Sequence, residues 1–319
     1  MVYFPYLRGK QYELIALREI CEFSDDKTIL SPIIEPVKKF NTTLSKTLTR
    51  LKENNINFNF IFNPQEPKGE IQPMDYEQYV VEVITVMDGY ENYQPSFLIN
   101  ERVDIPMIIS CVKTHLLKNI TLIITQPPIN DSEFDQLLEC TSIKYILLDD
   151  DSSVRRMSRK LRHVCKDLVF LADRFNLKAR NVEYENPDDE FYSDDHLFFQ
   201  EEGFCGFSDY LTIGNSYTDG GFLPYAVAIH LTYFDTQENL RVRHFVSDSN
   251  DDNSDVPGKV SEALAKLVAF VREQNMQTRA SKEFKRIYDT ESYPGLGSIK
   301  KLSMLHHIEL LYNYLTKPR

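Results

Sequence analysis

The sequence lacks the short motifs by which many enzymes are recognised. It contains no phosphate-binding glycine loop, no nucleophile elbow and no cysteine or histidine set with the spacing of a zinc site. Its cysteines are scattered, odd in number and without a C-x-x-C pair, which argues against a disulfide framework: Cys21, Cys111, Cys140, Cys165 and Cys205. We therefore expect buried free thiols, and no motif identifies a reaction.

The sequence also has no long apolar run and no excess of positive charge. No stretch approaches the ~20 apolar residues of a membrane span, and the segment Met1–Arg8 shows no basic region followed by an apolar core. The formal net charge is -12. Because non-specific nucleic-acid binding needs a basic face, this charge argues against one, while a local basic pocket stays compatible with it. We predict a globular, cytoplasmic protein with no membrane partner.

Strand-like apolar runs alternate with helix-like stretches along most of the chain. We predict one α/β domain over residues 1–319 with a TIM-barrel-like (β/α)8 fold, an appended β-hairpin and C-terminal helices. A doubly wound open sheet is the alternative, because strand order cannot be read from one sequence. The predicted strands are Tyr3–Leu7, Ile29–Val37, Phe58–Asn63, Phe97–Asn100, Thr121–Thr125, Tyr145–Leu148, Leu168–Leu171 and, as the eighth, Tyr225–Tyr233.

Three segments are predicted to depart from this alternation. Residues 178–206 are predicted to form an irregular lid or loop, because their acidic run lacks any periodicity. The strand Tyr225–Tyr233 is followed by a polar turn and by Arg241–Val246, an alternating run that predicts a hairpin. Residues 276–319 are predicted to form a C-terminal helical extension.

Many of the apolar runs end in polar or charged residues. Since parallel strands in a β/α barrel all end at one face, we expect these side chains to converge there. Helix capping is the alternative explanation for the aspartates and asparagines, and it fits Glu35 and the arginines less well. The residues are Glu35, Asn63, Asn100, Glu101, Arg102, Asp149, Asp173 and Arg174.

Three further features are candidate site elements. Arg8 and Lys10 flank a glycine after the first strand and form a candidate anion site; the alternative is that Arg8 pairs with a carboxylate such as Glu35 or Glu13. His230 lies on a strand whose alternation could turn it into the barrel, as an acid, base or ligand, or as a hydrogen-bonded core histidine. Asp209 follows a glycine-containing segment that could line the site.

Two segments at the start of the chain, Tyr3–Leu14 and Pro32–Val37, resemble the beta-protein family of bacteria and phages. Further matching segments span nearly the whole chain: Phe207–Asp209, Ala228–Leu231, His244–Phe245 and Leu305–Ile308. The resemblance implies a TIM-barrel-like fold and a gene neighbourhood linked to mobile elements and anti-phage conflict, often as one of two adjacent genes. It implies no catalytic mechanism.

We combine these features into one hypothesis and one alternative. The hypothesis is a component of an anti-phage defence or toxin-antitoxin-like gene pair, with a pocket for an anionic nucleotide or phosphodiester. A catalytic role would be metal-assisted hydrolysis, for which Mg2+ suits a few carboxylates and a phosphate. The alternative is a non-catalytic interaction or immunity partner of the adjacent gene's product. The candidates are Glu35, Asp149, Asp173 and His230 for catalysis, Arg8, Lys10, Arg102 and Arg174 for the anion, and Asn63, Asn100, Glu101 and Asp209 elsewhere in the pocket.

Overall fold

The structure, a computed structural model, describes residues 2–66, 69–217 and 223–317. The described strands are β1 (Val2–Leu7), β2 (Ile33–Ile34), β3 (Phe58–Ile61), β4 (Tyr93–Ile99), β5 (Ile120–Ile124), β6 (Ile143–Asp149), β7 (Leu168–Ala172), β8 (Asp189–Ser193), β9 (Gly206–Asp209), β10 (Ala228–Phe234) and β11 (Leu240–Val246). The described α-helices are α1 (Gln11–Ile20), α2 (Thr42–Glu53), α3 (Tyr76–Met87), α4 (Ile105–Thr114), α5 (Asp131–Cys140), α6 (Ser152–Leu161), α7 (Asp195–Phe198), α8 (Val256–Glu273), α9 (Arg279–Asp289) and α10 (Leu296–Leu315).

The chain divides into two compact units. The first, which we call the barrel unit, comprises Met1–Ala172 and Phe198–Asp209. The second, which we call the sheet unit, comprises Asp173–Leu197 and Tyr210–Arg319. Each unit contains its own β-sheet, so the residues predicted to share one site are distributed over two units.

Eight parallel strands close the barrel in the order β1-β2-β3-β4-β5-β6-β7-β9. β1 pairs with β2 on one side and with β9 on the other. This closure confirms the predicted α/β TIM-barrel fold and excludes the open-sheet alternative. Helices follow the strands as the periodicity predicts. In α2, for example, the Asn41 side chain caps the first turn, and Leu44, Leu48 and Leu51 form the buried stripe.

The eighth barrel strand is not the predicted one. β9 begins at Gly206 and takes the position assigned from sequence to Tyr225–Tyr233. A Cβ atom on Gly206 would lie 2.3 Å from the carbonyl oxygen of Val2 and 2.9 Å from the Phe4 ring, so this close approach of two backbones requires glycine. A glycine of the segment that contains Asp209 is therefore the residue at which the barrel closes.

The strand register determines which side chains line the barrel interior, because ladder partners point to the same side of a sheet. Tyr6 is paired with Ile33, and Ile33 with Asn59. Continuing the alternation past β2 places Glu35 on this inward side. Around the barrel, the residues on the inward side at the strand ends are Glu35, Asn63, Asn100 and Asp149.

The sheet unit contains an antiparallel sheet in the order β10-β11-β8. The predicted hairpin is present as β10 and β11. The prediction of an irregular lid over residues 178–206 is wrong for Asp189–Ser193, which forms β8 and pairs with β11. The strand was missed because its acidic residues resemble a surface loop. In the structure Asp189 forms an ion pair with Arg241 across the ladder at 2.6 Å, so basic residues elsewhere in the chain stabilise the acidic run.

The C-terminal segment is helical, as predicted. α9 and α10 cover most of residues 276–319 and belong to the sheet unit. α10 is buried over much of its circumference, including His306 and His307. Within residues 2–66, 69–217 and 223–317, no helix combines the length and the apolar character needed to cross a membrane.

Candidate functional site

The candidate site lies at the carboxyl ends of β1, β2 and β3 in the barrel unit. Tyr6 and Arg8 are two residues apart at the end of β1, and Glu35 follows β2 directly. The Tyr6 hydroxyl donates a hydrogen bond to Oε2 of Glu35 at 2.9 Å. Nε of Arg8 lies 3.9 Å from the same oxygen. The alternative prediction that Arg8 pairs with Glu35 is therefore confirmed.

Two more carboxylates surround Arg8. Oε2 of Glu66, in the loop after β3, lies 3.6 Å from Nε of Arg8. The backbone N–H of Arg8 donates to the carboxylate of Glu13 in the first turn of α1. The exposed fractions of the Arg8, Glu35 and Glu66 side chains are 10%, 6% and 14%. The cation thus lies in a nearly dry environment between carboxylates, an arrangement that we call the mouth cluster: Tyr6, Arg8, Glu13, Glu35, Gln65 and Glu66.

Glu35 is the titratable group of this cluster. Burial raises the pKa of its carboxyl above the usual value, and the negative charge of Glu66 adds to that effect. The Arg8 charge, the Tyr6 hydroxyl and the backbone N–H of Gln65, which donates to Oε1 at 3.3 Å, all oppose the rise in pKa. A carboxyl whose proton affinity is raised by burial and controlled by a neighbouring cation is typical of a general acid.

The two asparagines at the mouth have different partners. Nδ2 of Asn63 donates to the Leu98 carbonyl at 2.9 Å, and the Leu98 N–H donates to Oδ1 of Asn63 at 2.8 Å. This reciprocal pair ties the end of β3 to β4, so Asn63 has a structural role. Asn100 donates to Oε1 of Gln65 and orients the loop that carries Glu66.

A cavity of about 370 Å³ opens beside the mouth cluster, between the loops that follow β3 and β4. Its lining includes Glu66, Tyr76, Asn100 and Arg102. The Tyr76 hydroxyl donates to the Pro64 carbonyl at 2.7 Å, and burial together with the Glu35 charge raises the pKa of Tyr76. The volume falls within the range of small-molecule sites, and Gln65 and Glu66 belong both to the mouth cluster and to the cavity lining.

The residues present do not fit a divalent metal at the mouth. Among the residues that the structure describes, no three histidine, cysteine or carboxylate side chains are grouped so as to hold a metal ion. The position between Glu35 and Glu66, where a cation would be most stable, is taken by the guanidinium of Arg8. We therefore derive no step through Mg2+.

Several predicted residues of the barrel unit lie away from the cluster. Glu101 and Arg102 are exposed and pair with each other at 3.7 Å, with Arg102 still reaching the cavity rim. Asp209 alternates with the inward-facing Ser208 and so points to the outer side of the barrel, where the Tyr3 hydroxyl donates to it at 2.8 Å. The prediction that Asp209 lines the pocket is wrong because the alternation along β9 turns its side chain away from the barrel interior.

Asp149 and Lys10 remain near strand ends of the barrel unit. Asp149 ends β6 on the inward side, and its Oδ1 accepts the backbone N–H of Asp151 at 3.0 Å. Asp151 in turn caps α6, with its side chain accepting the backbone N–H of Ser153. Lys10 is the N-cap residue of α1 and follows Gly9, whose φ of +64° suits glycine.

Three predicted residues belong to the sheet unit. Asp173 accepts the backbone N–H groups of Phe175 and Asn215. Arg174 donates from Nε and Nη2 to the two oxygens of Asp195 at 2.8 and 2.7 Å. The expectation that His230 points into the barrel is wrong, because its strand pairs with β11 in the separate three-stranded sheet.

Sequence reasoning missed Tyr6, Gln65, Glu66 and Tyr76 as site residues. The signal for Tyr6 was its position two residues before Arg8, which puts both side chains on one side of a strand. Gln65 and Glu66 continue the polar ending that Asn63 begins. Tyr76 lies more than ten residues later in α3, so only the folded chain brings it to the cavity.

No protein-family profile matches this chain, and no curated protein is significantly similar to it. Two solved structures of tryptophan synthase from Mycobacterium tuberculosis, one in space group F222 and one an open form with BRD0059 bound, match with a TM-score of 0.38 and 8% identity. Each match covers 65% of this chain and 82% of the other. At this similarity the matches carry no argument, and the fold assignment rests on the closed strand order.

Proposed function

We propose that this protein is a cytoplasmic component of an anti-phage defence or toxin-antitoxin-like gene pair, in which the barrel mouth binds an anionic nucleotide or phosphodiester and Glu35 transfers a proton. The gene-pair role is supported by the family resemblance of the segments around Arg8 and Glu35. The proton-transfer role is supported by one observation: Glu35 is buried between a tyrosine hydroxyl and an arginine, and its pKa is raised.

Protonation of Glu35 changes the charge of the cluster in a way that favours an anion. With Glu35 neutral, the guanidinium of Arg8 faces one fewer charged carboxylate, and the carboxylate of Glu66 stays 3.6 Å from its Nε. An anionic ligand in the adjacent cavity would compete with Glu66 for Arg8 and meet Arg102 at the rim. The carboxyl proton of Glu35 would then be available to the ligand's leaving oxygen.

The first test is the thermal unfolding of the protein with nucleotides, cyclic dinucleotides and short oligonucleotides. A ligand at about 100 times its Kd stabilises a protein by roughly 2.7 kcal/mol. Arg102→Gln should weaken the stabilisation, whereas Arg50→Gln, a matched change at an exposed position on α2, should not. Glu35→Gln should retain binding and lose turnover. Stabilisation by no ligand in the set, or stabilisation that Arg102→Gln leaves unchanged, would contradict the binding proposal.

A second candidate is favoured by the carboxylates around Arg8. Glu35 and Glu66 flank the guanidinium and Glu13 accepts the Arg8 backbone N–H, as expected for a structural role, and the net charge of -12 suits a basic protein partner. In this case the adjacent gene's product should co-purify as a stable heteromer that survives Glu35→Gln. Charge reversal at the exposed Glu185 should weaken that heteromer more than reversal at the exposed Glu291.

Point substitutions are better suited to this test than a deletion of the acidic segment, because part of that segment belongs to the sheet. Deletion of Asn181–Glu190 would remove Asp189 and Glu190, the first residues of β8, and with them their pairing with β11. A heteromer lost on deletion would therefore report damage to the sheet as readily as loss of an interface. Free protein that turns over a ligand would exclude the non-catalytic alternative.

A further inference from the structure

The sheet unit contains a pair of histidines in direct contact. β10 and β11 place His230 opposite His244 in the ladder. Their Nδ1 atoms lie 2.8 Å apart, so one ring donates a proton to the other. His244 is buried, whereas His230 is only partly buried.

A carboxylate at the inner end of the pair determines the direction of the hydrogen bonds. Oε1 of Glu190, in β8, lies 3.2 Å from Nε2 of His244, and Nδ2 of Asn176 donates to the other oxygen at 3.1 Å. An ionised carboxylate only accepts, so Nε2 of His244 carries the proton and its Nδ1 has a lone pair. Nδ1 of His230 must then donate, which leaves the lone pair of His230 on Nε2.

Both rings are held in their neutral state and in a fixed orientation. Burial lowers the pKa of His244. Burial, the repulsion that a second proton on the pair would meet from His244, and the charge of Lys300 together lower the pKa of His230. The Tyr184 ring lies 4.5 Å from the His230 ring and 4.7 Å from the His244 ring, between centroids. The Tyr184 oxygen accepts the backbone N–H of Lys178, which fixes the tyrosine in turn.

The second ring nitrogen of His230, Nε2, forms the outer end of this hydrogen-bonded series. Within the described part of the protein, no group lies within hydrogen-bonding distance of Nε2 of His230. Lys300, on α10, is the charged group that acts on His230. The groups that act on His244 are Glu190, Lys178 and Asp189. The positive charge of Lys300 thus acts on the ring that carries the open nitrogen and favours an anion there.

We propose that Glu190, His244 and His230 form a proton-transfer chain whose open nitrogen, Nε2 of His230, is the general base for a phosphate-bearing ligand with an ionisable hydroxyl group. The hydroxyl proton moves to Nε2, and the hydroxyl oxygen keeps the electron pair. The imidazolium formed on His230 still donates from Nδ1 to His244, whose Nε2–H still donates to Glu190. All of these residues belong to the sheet unit, so this proposal does not depend on that for the barrel mouth.

Modification of the intact protein with diethyl pyrocarbonate, followed by peptide mass mapping, tests the chain. The reagent attacks only neutral, accessible imidazole nitrogens. At pH 6 an ordinary histidine is about three-quarters protonated, whereas one with a lowered pKa stays reactive. His230 should therefore react at least as fast as the exposed His163. His306 should react more than ~10-fold more slowly than His230, because it is fully buried.

The variants and a probe anion separate the proposal from a packed histidine pair. Inorganic phosphate should slow the modification of His230, and Lys300→Gln should weaken that protection while Lys282→Gln, an exposed change on α9, should not. Glu190→Gln should slow the modification because the chain loses its anionic end. A His230 as unreactive as His306, or a reactive His230 that phosphate and Glu190→Gln both leave unchanged, would overturn the proposal.

A second measurement covers the case in which Glu190→Gln does not fold. Two-bond 1H–15N spectra of the unmodified protein report which nitrogen of each ring carries the proton. We expect the proton on Nε2 in His244 and on Nδ1 in His230. The opposite tautomer of His230, with the proton on Nε2 and the lone pair on Nδ1 towards His244, would refute the proposed proton-transfer chain.

Discussion

Replacement of Arg8 by methionine should destabilise the barrel unit strongly and in a pH-dependent way. The change keeps a long apolar side chain but removes the cation from between Glu35 and Glu66, whose carboxylates lie 3.9 and 3.6 Å from Nε and are largely buried. Loss of one partner of a buried pair costs about 3–5 kcal/mol. Protonation of Glu35 would remove part of this cost, so we expect the unfolding free energy to fall by about 3 kcal/mol at pH 7.

The sign of the pH dependence follows from the raised pKa of Glu35. Arg8 lowers that pKa, so its removal raises the pKa further. A carboxyl with a folded-state pKa above its unfolded value binds more protons when folded, and stability then falls as the pH rises from the unfolded pKa through the folded one. The loss caused by Arg8→Met should therefore be clearly smaller at pH 5 than at pH 7.

The assay is urea unfolding monitored by far-ultraviolet circular dichroism, since the chain has no tryptophan. Glu35→Gln is the control, because the one amide oxygen of glutamine can still accept from Tyr6 while Arg8 keeps Glu66, and only the 3.3 Å hydrogen bond from the Gln65 N–H is lost; we expect a change of about 1 kcal/mol. A loss below about 1 kcal/mol for Arg8→Met at pH 7, or an equal loss at both pH values, would refute this reasoning.

Three other changes test separate parts of the structure. Burial lowers the pKa of His306 to about 4, so acidification from pH 7 to pH 4 should lower the free energy of unfolding by about 3 kcal/mol. This loss should be absent in His306→Gln; plots of unfolding free energy against pH that run parallel for the two proteins would contradict the prediction. Gly9→Ala should cost about 1 kcal/mol in thermal unfolding, because φ is +64° although the nearest atoms leave ordinary space, and Gly9→Asn should cost less. Asn63→Leu should cost about 2 kcal/mol, because it removes the partner of the Leu98 N–H and leaves the Leu98 carbonyl with only the 3.4 Å hydrogen bond from Gln65; an unchanged urea midpoint would count against that structural role.

The barrel could be predicted because its signal is local. The seven strands from β1 to β7 are apolar runs between amphipathic helices, and their order of appearance is their order in the barrel. β8 and β9 could not be predicted in this way. β9 has only four residues and begins with a glycine whose purpose is the approach of Val2, and β8 is an acidic segment whose partner, Arg241, lies about fifty residues away.

The candidate site was predictable in the same uneven way. The pattern of apolar runs with polar endings included Glu35, Asn63, Asn100 and Asp149, which the strand register places on the inward side, because the two-residue period of a strand needs no tertiary information. It could not decide the partners of Arg8, since Glu66 comes from a loop without periodicity. It also assigned His230 to the barrel because a hairpin strand and a barrel strand have the same local pattern.

Composition and periodicity, read from the residues alone, established an acidic α/β chain with polar groups at its strand ends. These properties are local, since burial of a strand or a helix stripe requires the right residue types at the right spacing. The tertiary structure decided the closure at Gly206, the division into two units and the partners of Arg8 and His230. Those features depend on contacts between residues far apart in sequence, and their geometry exists only once the chain has folded.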